Sequence, residues 1–176
     1  MQNNAVLMEK DSVHIREWER LLCEGAEEVF QMMVGIPLIR CAEGTCYQAG
    51  EFTAVVGVAG PINGVFEVRC DQNTACGIAS GMLGVDTHEV QSDVCDALGE
   101  ICNLVVGNFK NKMGKVGQSS VLSVPTLIHG RNYRVRPLVN GSIVECLMQT
   151  ADGIIQFRFN YRLAAVQDPV DRPSIK

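Results

Sequence analysis

Residues 96–107 read DALGEICNLVVG, and residues 24–35 read EGAEEVFQMMVG. Set against each other without gaps, they share Glu28 with Glu100, Val34 with Val106 and Gly35 with Gly107, three identities in twelve positions. Further positions agree in type, among them Glu24 with Asp96 and Gln31 with Asn103. Both stretches carry apolar residues at helical spacing, and strand-rich sequence follows each. The repetition predicts two pseudo-symmetric halves, each a long helix followed by strands and related by an approximate two-fold.

Around the first stretch, Ile15, Trp18, Leu22, Val29, Met32 and Met33 recur at helical spacing, which predicts a helix from His14 to Gly35 with the methionine pair in the core. Gly35 and Pro37 end it. Strands are expected at Leu38–Tyr47, Phe52–Ala59 and Gly64–Arg69, the last two joined through Pro61-Ile62-Asn63-Gly64. Asp71 caps a shorter helix to Leu83, and Gly84 closes it. Asp86-Thr87-His88-Glu89 has the form of a capping box opening the second long helix, about His88 to Met113. Strands resume at Val121–Ile128, with Tyr133–Val139 an optional addition to the six, and Ser142–Gln149 with Ile154–Tyr161 form a hairpin through Ala151-Asp152-Gly153. The tail from about residue 167, with Pro169 and Pro173, is expected to be loose. The expected fold is α+β: a single domain over 1–176 with long helices packed on a mostly antiparallel six-stranded sheet.

Composition narrows the function. The chain has 176 residues, 15 basic and 20 acidic, for a formal net charge of −5. An acidic surface argues against nucleic acid as a partner. The longest uncharged stretch, Phe52–Phe66, is too short and interrupted to span a bilayer. The N-terminal residues lack a basic start, an apolar segment and a cleavage site, so a cytoplasmic location is expected. None of the eight cysteines forms C-x-x-C, and His14, His88 and His129 have no partner at metal or triad spacing. Free thiols and no metal site are therefore expected. Arg131, Arg134 and Arg136 form a small basic cluster, read as solvated.

The second helix carries a polar stripe. With Glu100 as origin and about 100° per residue, Asp96 falls at about −40°, Asn103 at about −60° and Gly107 at about −20°. Val94, Leu98, Ile101, Val105 and Phe109 fall between about 100° and 180° and form the buried side. Gly99 and Gly107 flank the stripe. A glycine inside a helix costs about 1 kcal/mol relative to alanine, so both predict a close approach by another group.

The run Asp96-Ala-Leu-Gly99-Glu100-Ile-Cys-Asn103-Leu-Val-Val-Gly107-Asn108, with Pro125 placed 21 residues beyond Asn103, resembles the CheX/CheC/FliY chemotaxis phosphatases, and most of all the CheX branch. What the resemblance implies is hydrolysis of the aspartyl phosphate of a phosphorylated CheY-like response regulator. Asn103 would orient the attacking water and Glu100 would pair with the regulator's lysine. Asp96, Gly99, Gly107 and Pro125 would support them, Pro125 by shaping the connection into a strand. The chain would need no cofactor of its own, because Mg²⁺ comes with the regulator. The resemblance also implies a homodimer formed by pairing sheets. Glu28 and Gln31 stand where the first helix would hold a second site, but glutamine reaches about 1.5 Å farther than asparagine. Misplacement on that scale costs on the order of 10²-fold in rate, so the first-helix copy is read as degenerate. The alternative is a non-catalytic module that docks a response regulator or a flagellar switch protein.

Overall fold

In the computed structural model, which describes residues 2–47, 50–86, 92–139 and 141–164, the first long helix, α1, spans Gln2–Val29 and runs into a π-helical turn, Phe30–Val34. It begins well before the expected His14, since residues 2–13 hold neither glycine nor proline to stop it. Gly35 closes it at φ 74°, and its N–H donates to the Phe30 carbonyl, five residues back, at 2.9 Å. The extra residue in that turn rotates the next side chains outward. Met32 is 72% and Met33 42% exposed, whereas Leu104 and Val105, which match them in the other half, are half-buried and buried. The methionine pair is thus a surface feature, not the core pair expected.

The strands are β1 (Ile39–Arg40), β2 (Phe52–Ala59), β3 (Ile62–Cys70), β4 (Val121–Leu122), β5 (Thr126–His129), β6 (Ser142–Gln149) and β7 (Ile154–Leu163). The sheet order is β1-β6-β7-β3-β2-β4, with β5 also on β2, and all these pairings are antiparallel. The sheet has seven strands, not six, because the expected Val121–Ile128 strand breaks in two around Ser123-Val124-Pro125. Both pieces lie along the same edge of β2. Taking the pieces as one, the order reads the same from either end with the two halves exchanged. Each half contributes a lone edge strand and a hairpin, and the central pair, β3 with β7, joins the halves with Phe66 opposite Phe159. This is the topology of a two-fold.

Three local expectations need correction. The Leu38–Tyr47 strand keeps only Ile39–Arg40, because the chain turns at Ala42–Thr45, where Gly44 has φ 82° and both the N–H and the hydroxyl of Thr45 donate to the Ala42 carbonyl. The β2–β3 turn is Gly60-Pro61, not Pro61 to Gly64. Gly64 lies in the strand, where a Cβ would come within 2.6 Å of the Asn160 carbonyl oxygen and 2.8 Å of the Phe159 ring. Its missing side chain serves packing. The Tyr133–Val139 strand does not form. That segment crosses the outer side of the sheet, with the Tyr133 and Thr53 hydroxyls 2.7 Å apart and Arg69 donating to the Val135 carbonyl at 3.5 Å.

Helix α2 (Gln72–Leu83) runs as expected, with the Asp71 carboxylate accepting from the Thr74 N–H at 2.8 Å and Gly84 closing it at φ 68°. Helix α3 spans Ser92–Lys112, and a short helix α4, Lys115–Gln118, follows Gly114. The expected capping box extends into residues 87–91, outside the described residues, as does the tail from about 167. α1 and α3 cover one face of the sheet. Phe30, Phe52, Phe66, Phe109, Phe157 and Phe159 are fully buried there, and Phe109 meets Phe159 edge-on at 5.9 Å. Among the described residues, no helix is long and apolar enough to cross a membrane.

Candidate functional site

The core face of α3 fixes where the stripe must point. Val94, Leu98, Ile101, Val105 and Phe109 are all buried, so the opposite side faces solvent. Asp96 and Glu100 are exposed and Asn103 is half-exposed, all within one uninterrupted α-helix. Glu100 and Asn103, three residues apart, are neighbours on that surface. Among the described residues none of the three side chains makes a hydrogen bond or ion pair. Asp96 and Glu100 repel at i,i+4, a cost of a few tenths of a kcal/mol that no ion pair among the described residues offsets. Lys110 is occupied elsewhere, donating to the Ser120 carbonyl at 2.9 Å and the Gln118 carbonyl at 3.4 Å.

Gly99 is buried because Pro125 sits on it. A Cβ built at Gly99 would lie 3.6 Å from the Pro125 Cβ. That is ordinary contact, so alanine would fit. Among the described residues Gly107 has nothing within 4 Å of such a Cβ, so none of them makes the close approach expected there. Helical side chains lean toward the preceding turn, and Asn103 therefore leans over the turn that carries Gly99. Gly99→Ala is expected to stabilise the chain by about 0.5–1 kcal/mol, read as a Tm rise of about 2–4 °C.

The first-helix copy differs in two ways. Glu28 is engaged: its carboxylate accepts from Lys112 at 2.7 Å and from the Asn108 amide at 2.9 Å. The same amide donates to the Gly25 carbonyl at 3.2 Å, where α3 crosses close over a glycine of α1. Gln31 lies on the π turn, so the three-residue step from Glu28 does not follow α-helical geometry. These two residues border an open groove with Met32, Pro37 and Leu38.

The Lys112 and Asn108 bonds hold the Glu28 carboxyl below its usual range. A lowered folded-state value means that stability from this clamp is present above the ordinary glutamate pKa of about 4.3 and is lost as pH falls through the folded value. The pair is half-exposed, so its worth is below about 1 kcal/mol. Thermal melts of the native chain and Glu28→Gln should differ slightly at neutral pH and converge in acid.

Sequence reading missed Asn108, Lys112 and Gly25, whose roles arise only where the two helices cross. All eight cysteines are free. Cys102, beside Asn103 in sequence, faces the core, and burial pushes its thiol up, which disfavours a thiolate nucleophile. Among the described residues no group of acidic, histidine or cysteine side chains could hold a metal ion. In the basic cluster, Arg131 pairs with Glu51 at 2.5 Å.

The profile of a family described as chemotaxis phosphatase CheX matches residues 52–149. No curated protein matches the chain. The chemotaxis protein CheX of Vibrio vulnificus superposes with a TM-score of 0.73 at 21% identity, covering 83% of this chain and 97% of that one. A CheX–CheY–BeF3–Mg²⁺ complex from Borrelia burgdorferi gives 0.67 at 21% identity, with 81% and 96% covered. FliY of Thermotoga maritima gives 0.65 at 17% identity, with 88% and 90% covered.

Proposed function

Because this chain belongs to the CheX family of chemotaxis phosphatases, we propose that it hydrolyses the aspartyl phosphate of a CheY-like response regulator through Asn103 and Glu100. The observation that carries the reading is a carboxylate and a carboxamide with no partner among the described residues, on the outer face of a helix whose other face is packed core. The solved complex of a CheX with CheY, from Borrelia burgdorferi, supports the choice of partner.

An aspartyl phosphate is a mixed anhydride. Water attacks phosphorus in line, the bond from phosphorus to the aspartyl carboxyl oxygen breaks, and aspartate leaves as its carboxylate while the water, losing a proton, becomes part of inorganic phosphate. Such a reaction asks for positioning and charge stabilisation more than for covalent chemistry. A carboxamide suits both tasks. The Asn103 Oδ1 accepts from the attacking water, and its Nδ2 donates to a phosphoryl oxygen. A carboxylate at that place would repel both the phosphate and the nascent hydroxide. Glu100, less than one turn away, pairs with the lysine of the regulator's pocket and sets the docking angle. Asp96 extends the acidic contact. The regulator supplies Mg²⁺, which offsets charge on the phosphoryl oxygens; the chain brings no cofactor of its own.

One site does the work, on α3, and Glu28 is spent on the α1–α3 clamp. The protein acts in the cytoplasm, where regulators of this class reside. It forms a homodimer through its sheet, whose two edges end in short strands; sedimentation showing a monomer would contradict the dimer without touching the chemistry. The function is tested by adding substoichiometric chain to a phosphorylated CheY-type receiver domain. Shortening of the phosphoryl lifetime is expected. Binding without shortening would leave a non-catalytic docking module.

A further inference from the structure

We propose that the Ser123-Val124-Pro125 break between β4 and β5 is a built docking element for the phosphorylated receiver domain, with Val124 as its apolar contact. The assignment rests on the phosphatase reading above and deepens it.

The break is held, not slack. The Ser123 N–H donates to the Gly57 carbonyl at 2.9 Å, and the Ser123 Oγ accepts from the Gly57 N–H at 2.9 Å. The same hydroxyl donates to the Val124 carbonyl at 2.9 Å. Ser123 thus gives β2 the partner it would lose where the edge strand is interrupted, while Pro125 has no N–H to continue a ladder. Pro125 then seats on α3 at Gly99. Gly99 and Asn103 are i,i+4 neighbours, so the seat lies one turn from the carboxamide.

What this mount presents is Val124, 82% exposed. An isolated exposed valine would mean little. This one stands on a fixed break beside the stripe, in a segment with no charged residue from Val116 to Ile128. Edge strands are commonly guarded by charge, and here the break and Pro125 interrupt the edge instead. Next to the acids of α3 this segment is therefore uncharged, with Val124 its most exposed apolar side chain. The occupant we assign is the same receiver domain that Glu100 engages: Pro125 seats on α3 one turn from Asn103, so a receiver docked over the stripe extends onto Val124.

The test uses the full chain and the phosphorylated CheY-type receiver that it dephosphorylates. Val124→Ser is expected to raise KM about tenfold with kcat within about twofold. Val124→Glu should raise it further. Leu138→Ser, at a residue 91% exposed in the 131–139 segment, should leave KM unchanged and controls for general loss of surface apolarity. An unchanged KM for Val124→Ser, or a loss confined to kcat, overturns the docking assignment while the phosphatase reading stands. If the wild-type chain leaves the receiver's phosphoryl lifetime unaltered, the phosphatase reading itself fails and takes this assignment with it.

Discussion

Asn103→Ala is expected to slow dephosphorylation of the regulator by about 10²- to 10³-fold, the cost typical of removing one positioned polar group from a transition state. KM should change little, because in the proposed mechanism the amide's contacts would strengthen as water attacks and contribute less to docking. Thermal stability should also hold, since the side chain is half-exposed and bonds to no other described residue. Asn103→Asp keeps the shape but brings a negative charge against the phosphate, and should be no faster than Asn103→Ala. Asn103→Gln keeps the amide one methylene too far out and should lose on the order of 10²-fold. Single-turnover decay of the phosphorylated receiver measures all three. An Asn103→Ala chain as fast as the native one would remove the carboxamide from the mechanism.

Glu100→Lys is the second large effect. Losing one partner of a desolvated charge pair costs about 2–5 kcal/mol, and here a like charge would also face the regulator's lysine. KM should rise by about two to three orders of magnitude, measured as receiver concentration dependence. The native reaction should weaken with added salt, and the substituted one should not. The same substitution relieves the repulsion between Asp96 and Glu100 at i,i+4. The melting temperature should therefore hold or rise while activity falls, a combination that unfolding cannot produce.

The helices and hairpins were legible because their signals are local. Asp71 before an apolar run and Gly84 after it mark α2 at both ends. The Ser142–Gln149 and Ile154–Leu163 hairpin alternates burial along β6, as a strand with one face on the core must. What escaped depends on neighbours distant in sequence. Gly64 looked like a turn residue, but its role is set by Phe159 and Asn160 across the sheet. The β-prone residues from Tyr133 to Val139 cross the outer face instead of joining it, and Tyr133 and Arg69 fasten them there. The π turn has no simple sequence signal, yet it decides that Met32 and Met33 face solvent where their counterparts do not.

The solvent-facing stripe was legible to the same extent and for the same reason. One amphipathic helix specifies both its buried and its free side, so Glu100 and Asn103 could be assigned to solvent from spacing alone. The engagement of Glu28 could not, because Asn108 and Lys112 are 80 and 84 residues away along the chain. Nor could the staple at Ser123, whose partner is Gly57.

The palindromic strand order leaves neither half able to stand by itself. Cut between α2 and α3, the first fragment would keep only the β2–β3 hairpin, while β1 would be stranded without β6 and β3 would bare the side it now gives to β7. The second fragment would be no better off. Each piece would expose the surface that its sister now covers and would seek another copy of itself. Coexpressed, the two pieces should instead reassemble into a nicked but working protein, rejoined by the sheet pairings and the α1–α3 crossing.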